Sequence, residues 1–157
     1  MTSVQTFYFD ASALVKRYMT ETGTAWIESL CANEDEHAIA IAEFGLVEVA
    51  AAFSGKQRGG FITLHEYSQA LTNLIHDAQS RYRLVRVEQT IVHLAIELTT
   101  RHRLRGYDAI HLACALTLNT PLVENDLPAL TFVCADNDLL IAGKAEGLAI
   151  DNPNHHS

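Results

Sequence analysis

The chain has 157 residues, 48% of them apolar and 19% charged, with a net charge of −8 and a pI near 5.4. This composition suits a folded globular domain and excludes a disordered one, and no stretch approaches the roughly 18 uninterrupted apolar residues of a membrane span. The acidic balance also counts against a nucleic-acid partner held by overall charge, because such proteins usually present a basic face.

Met1 to Gln5 lack a basic region followed by an apolar run, so no secretory signal is expected. Cys31, Cys114 and Cys134 are an odd number without close pairing and read as buried small hydrophobes in a reducing compartment. The expectation is a cytoplasmic protein. Without repeats, low-complexity tracts or a Pro/Gly/Ser-rich linker, residues 1–157 are expected to form a single domain.

In chain order, Val4 to Phe9 is β-branched and aromatic, a buried strand ending at Asp10. Ala11 to Met19 and Thr24 to Cys31 read as helices, and His37 to Ala42 as a second strand. Phe44 to Lys56 is helical and closes at Gly59-Gly60. Thr63 and Glu66 form a capping-box pattern that opens the next helix, with Leu64, Leu71, Leu74, Ile75 and Ala78 along one stripe. Tyr82 to Val87 alternates apolar and basic residues, as a partly exposed third strand does. Ile91, Leu94, Ala95 and Leu98 mark a helix, and Tyr107 to Leu118, apolar around most of its circumference, a buried one. Asn119 to Ala129, with Pro121 and Pro128, reads as a loop. Leu130 to Ala135 is a fourth strand, Asn137 to Glu146 a helix and Leu148 to Ile150 a last short strand. Strands alternating with helices predict an α/β fold with a mainly parallel sheet.

In such sheets ligands bind outside the carboxyl ends of the strands. Asp10 closes the first strand and Asp136 the fourth, and both precede helices whose N-terminal dipoles favour an anion. Asp108 lies in the first turn of its own helix. Each alone is an ordinary helix cap; together they would repel one another without a cation. Glu48 adds weight, being the only charged residue of FGLVEVAAAF, Phe44 to Phe53. A solvated face would place polar residues at 44, 45, 51 and 52, so Glu48 is expected to be partly buried and to need a partner or a metal. Ser12 either orients the Asp10 carboxylate or caps the following helix. Asp138 is a fifth candidate acid or a favourable charge at a helix start.

All-oxygen ligation selects Mg²⁺ or Mn²⁺ over zinc. Asp108, His111 and Cys114 do follow one another at three-residue steps, but no CxxC or HxxxH pattern occurs, and His111 reads as a structural histidine. The basic residues gather at Lys16-Arg17, Lys56 to Arg58, Arg81 to Arg86, and Arg101, Arg103 and Arg105, with Lys16 and Arg17 as candidate phosphate contacts. No GxGxxG, GxxxxGK[ST] or GxSxG is present, which speaks against a nucleotide cradle or a serine hydrolase. A phosphatase with an aspartyl nucleophile would want a second acid two residues after Asp10, where Ser12 stands. A phospho-accepting receiver domain would need an acidic pair near the first strand end and a Lys at a late strand end, neither of which is evident.

Four blocks, FYFDASALVKRY, LVEVAAAF, YDAIHLACAL and FVCADNDLLIAGKAEGLAIDNP, occur in this order with an acid in each. Together they resemble PIN-domain proteins, especially the VapC-type ribonuclease toxins of toxin–antitoxin pairs, from about Thr6 to Pro153. The resemblance implies a three-layer fold with a parallel sheet of four or five strands between helices. It also implies an acidic pocket for Mg²⁺ or Mn²⁺, RNA as substrate, a cognate antitoxin as partner and a homodimer. Asp10, Glu48, Asp108 and Asp136 match the family's four acids, and Ser12 its small hydroxyl residue. The acidic run Asp136-Asn137-Asp138 leaves two candidates for the last position. The competing reading is a PIN module that binds a partner protein without turnover.

Overall fold

The structure, a computed structural model, describes residues 3–157; part of the expectation about a leader falls on Met1 and Thr2, outside the described residues. Five strands form one sheet, β1 (Gln5–Phe9), β2 (His37–Ala42), β3 (Arg83–Val85), β4 (Thr131–Val133) and β5 (Ala149–Asp151). Their order is β3-β2-β1-β4-β5, and every neighbouring pair is parallel. Parallel strands need covering on both faces, so the interior strand β2 reads HAIAIA, apolar without alternation and buried from Ala38 onward.

The crossovers supply the covering layers. On one face lie α1 (Ala11–Tyr18), α2 (Thr24–Ala32), α3 (Glu43–Arg58) and α4 (Leu64–Ser80), where Leu14, Ile27, Phe53 and Leu74 pack on Phe9 and Ile39. On the other lie α5 (Gln89–Arg101), α6 (Gly106–Glu124) and α7 (Asn137–Ala145), where Leu98, Leu112 and Leu139 pack on Tyr8, Ala40 and Phe132. Adjacent residues Tyr8 and Phe9 thus serve opposite cores, as the two-residue period of a strand requires. A 3-10 turn, Pro153–His155, closes the chain against α2. Gly23 lies there at φ +93°, and an added Cβ would collide with the Pro153 carbonyl. Among the described residues no helix is long and apolar enough to cross a membrane.

Three expectations need correction. The segment Asn119 to Ala129 is not a loop throughout, because α6 runs on through Pro121 to Glu124. A proline inside a helix removes one amide and crowds the carbonyl four residues back. Here half-buried Leu118 and Leu122 pack on the core, and Thr120 and Asn125 donate to the Leu116 and Pro121 carbonyls, which offsets that loss. The capping box on Thr63 and Glu66 forms as expected, but the stripe behind it does not bury whole: Leu74 is covered while Leu64 and Ile75 are exposed. The third and fourth strands are each shortened to three residues.

Candidate active site

Strand order reverses between β1 and β4, and a crevice opens there at the carboxyl ends. Asp10 leaves β1 on one side of it and Asp136 leaves β4 on the other. Both cap the helices they precede: Asp10 accepts from the Ala13 amide at 3.0 Å, and Asp136 from the amides of Asp138 at 2.9 Å and Leu139 at 3.4 Å. Ser12 donates to Asp10 Oδ1 at 2.7 Å and accepts from the Ala135 amide at 3.0 Å. Its hydroxyl therefore orients the carboxylate and ties the loop after β4 to the start of α1; the capping role falls to Asp10 itself.

Asp10 is buried, and burial pushes its carboxyl above its ordinary value. The nearby His111 ring, the Ser12 hydroxyl and the Ala13 amide pull it back down. A carboxylate in such a place is stabilised by any cation that reaches it.

Asp108, in the first turn of α6, is also buried. Arg105 Nε donates to its Oδ2 at 3.1 Å, and Arg105 Nη2 lies 3.9 Å from Asp136 Oδ2. The guanidinium also rests over the Tyr107 ring, 4.8 Å from its centroid. Asp108 and Asp136 thus flank a single positive group across a groove of about 510 Å³, whose walls include Arg103, Arg105 and Asp138. Asp138 is exposed on the rim and no partner holds its carboxylate among the described residues.

Glu48 is half-buried on α3 rather than enclosed, because Val47, Ala51 and Ala52 of its apolar run face outward. Its partner is His111, whose Nε2 lies 2.6 Å from Glu48 Oε1. The other ring nitrogen, Nδ1, meets the Tyr8 hydroxyl at 2.7 Å. His111 is one helical turn beyond Asp108, so the Glu48 pair and the Asp108 carboxylate share one face of α6.

Arg105 thus joins Asp108 to Asp136, and His111 holds Glu48 from the same helix as Asp108, but the four acids do not close round one point. Among the described residues no three acidic, histidine or cysteine groups stand within joint ligating distance. The residues nonetheless fit a hard divalent cation. The donors are carboxylate oxygens, Asp10 is desolvated, and the Arg105 guanidinium stands in as a cation between Asp108 and Asp136. Cys114 does not join the set: it is fully buried and burial pushes its thiol up to about 11.

Sequence reasoning missed Arg105 and the Tyr8–His111 pair, although the signals were present. Tyr8 precedes Asp10 by two, the repeat of a strand face, and His111 follows Asp108 by three, the repeat of a helix face. Lys16 and Arg17, expected as phosphate contacts, are otherwise engaged. Lys16 is buried and pairs with Glu21 at 3.4 Å, and Arg17 pairs with Asp77 at 3.4 Å. Arg103, exposed beside the acids and unpaired among the described residues, is better placed for that task.

Known proteins resemble this chain in sequence and in fold. Residues 7–127 match the family pattern described as the PIN domain. Ribonuclease VapC45 and Ribonuclease VapC49, both from Mycobacterium tuberculosis strains, are each 36% identical over 114 residues, covering 73% of this chain and 77% of theirs. Among solved structures, VapBC2 from Rickettsia felis bound to a promoter DNA fragment gives a TM-score of 0.61 at 15% identity, covering 94% of this chain and 98% of that one. VapC20 from Mycobacterium tuberculosis, described as a Sarcin-Ricin loop cleaving toxin, gives 0.59 at 14% identity, covering 91% and 96%. These structures show the same fold. With the family pattern spanning well over half its length, the chain belongs to the PIN-domain family, beside the ribonucleases of the VapC kind.

Proposed function

We propose that this chain, acting as one PIN domain over residues 1–157, is a metal-dependent endoribonuclease and the toxin of a toxin–antitoxin pair working in the cytoplasm. The observation that carries the reading is the pair Asp108 and Asp136, which flank the single Arg105 guanidinium across the groove, with Asp10 buried at the end of the neighbouring strand β1. Asp10, Glu48, Asp108 and Asp136 would hold Mg²⁺ or Mn²⁺. A bound divalent ion supplies an activated water and neutralises charge developing on the phosphate.

The chain's own residues do the rest. Ser12 fixes the Asp10 carboxylate in one orientation. Asp138 stands at the rim as an alternative to Asp136. Arg103 and Arg105, at the groove wall, hold the RNA backbone by charge, the term that dominates nucleic-acid affinity.

Asp10→Asn and Asp10→Ala should each abolish Mg²⁺-dependent cleavage of an RNA pool while circular dichroism stays native, and EDTA should stop the wild-type reaction. Undiminished cleavage by both variants would sink the assignment.

A second reading, a partner-binding module without turnover, has one observation in its favour. Leu46, Val47, Leu71, Ile75 and Leu84 line an open apolar groove of about 750 Å³ against α3 and α4. This surface suits an apolar segment of an antitoxin. Retention of all four acids favours turnover with the antitoxin as its restraint.

A further inference from the structure

Behind the acidic rim runs a buried hydrogen-bonded line. His111 is 1% exposed, with Nδ1 2.7 Å from the Tyr8 hydroxyl and Nε2 2.6 Å from Glu48 Oε1. An ionised carboxylate only accepts hydrogen bonds, so the hydrogen between His111 and Glu48 belongs to Nε2. In the neutral ring, Nδ1 is then the acceptor and the Tyr8 hydroxyl the donor.

The ring has little room to turn. Phe44 lies 4.6 Å away by ring centroids and Tyr8 5.9 Å, and a Cβ added to Gly45 would sit 3.4 Å from His111 Cε1. Neither Tyr8 nor His111 leaves a buried polar atom unpaired. Glu48 itself is a long side chain with a half-exposed head. Nothing among the described residues other than His111 holds its carboxylate in place.

We propose that Tyr8 and His111 are positioning residues for metal binding: Tyr8 sets the His111 tautomer, and His111 Nε2–H anchors one Glu48 oxygen so that the carboxylate is preset as a ligand. The inference rests on the assignment of Glu48 to the metal site. It differs from a plain core contact, which would change stability alone. Histidine ligands in metal sites are oriented by such outer partners; here the histidine is the outer partner and a carboxylate the ligand.

The test uses full-length protein stripped of metal, with Mn²⁺ binding followed by electron paramagnetic resonance in the absence of RNA. Tyr8→Phe keeps the aromatic ring and its packing and should weaken Mn²⁺ binding about tenfold, the lower range for such partners. His111→Leu should do the same, whereas His111→Gln, whose amide donates from near the Nε2 position, should retain most of the affinity. Long-range ¹H–¹⁵N spectra of the metal-free wild type should place the His111 hydrogen on Nε2, and Tyr8→Phe should shift it toward a tautomer mixture. A hydrogen on Nδ1 in the wild type overturns the proposal. So does affinity lost in Glu48→Gln yet kept in both Tyr8→Phe and His111→Leu. Affinity unchanged in Glu48→Gln overturns instead the placement of Glu48 in the metal site, and the proposal with it.

Discussion

Ser12 shows how one hydroxyl can serve two masters at a crevice. It donates to the Asp10 carboxylate and accepts from the Ala135 amide, coupling the two strands that flank the reversal. Ser12→Ala should leave that amide without its partner and cost about 1–3 kcal/mol, the usual penalty for an orphaned group. Urea unfolding measures this, and RNA cleavage should fall in the same variant because Asp10 loses its orienting bond; an unchanged midpoint would show that water replaces the hydroxyl. At this scale the sequence was legible in part. The positions of Asp10, Asp108 and Asp136 follow from strand ends and helix starts. The partner of Glu48 does not, because His111 is 63 residues away on another helix and only tertiary packing brings the two together.

The helices carry two further expectations. Pro121 deprives α6 of one backbone bond, to the carbonyl of Thr117, and the helix survives through packing on either side. Pro121→Ala restores the bond and should stabilise the protein by about 1 kcal/mol, less than the full cost of an interior proline because the freed unfolded chain gains entropy. Denaturant midpoints would register it, and a lower midpoint would mean the proline fixes a bend the core requires. This is also the place where sequence reading went furthest astray. Asn119, Thr120 and Pro121 carry local turn signals, and tertiary contacts at Leu118 and Leu122 overrode them.

At the C-terminal end of α7, Glu146 takes two bonds from Arg101, at 3.2 and 3.0 Å, and meets His102 Nε2 at 2.6 Å. These bonds, that from Arg101 foremost, hold its carboxyl below the ordinary glutamate value. A group lowered in the folded state contributes stability that is complete above its unfolded value, about 4.3. That stability disappears as pH falls through the folded value. Wild-type stability should therefore drop more steeply on acidification than that of Glu146→Gln, compared by urea midpoints across the acid range. Parallel slopes would refute the pairing.

For the molecule as a whole, the proposed metal site makes the acids a store of repulsion that a divalent ion would relieve. Mg²⁺ or Mn²⁺ at a hundredfold excess over its Kd should add about 2.7 kcal/mol, a rise in Tm of roughly 5–10 °C for a domain of this size. Asp10→Asn should lose that rise. Calorimetry decides the matter, and equal shifts in both proteins would place the ion elsewhere. The layered fold and its parallel sheet could be read from hydrophobic spacing, since HAIAIA and the helix periods are local signals. The strand order could not, because the choice to set β4 beside β1 leaves no local mark in Thr131–Val133.

That choice has a consequence for how the protein is made. During synthesis the ribosome releases β1, β2 and β3 well before Thr131–Val133, so one flank of β1 lacks its neighbour until β4 has emerged. Asp136 and the α7 cap arrive only then. The proposed cutting centre would therefore be finished only once β4 and α7 have emerged, and a nascent chain that stalls before residue 131 carries Asp10, Glu48 and Asp108 without Asp136 or the strand that positions it.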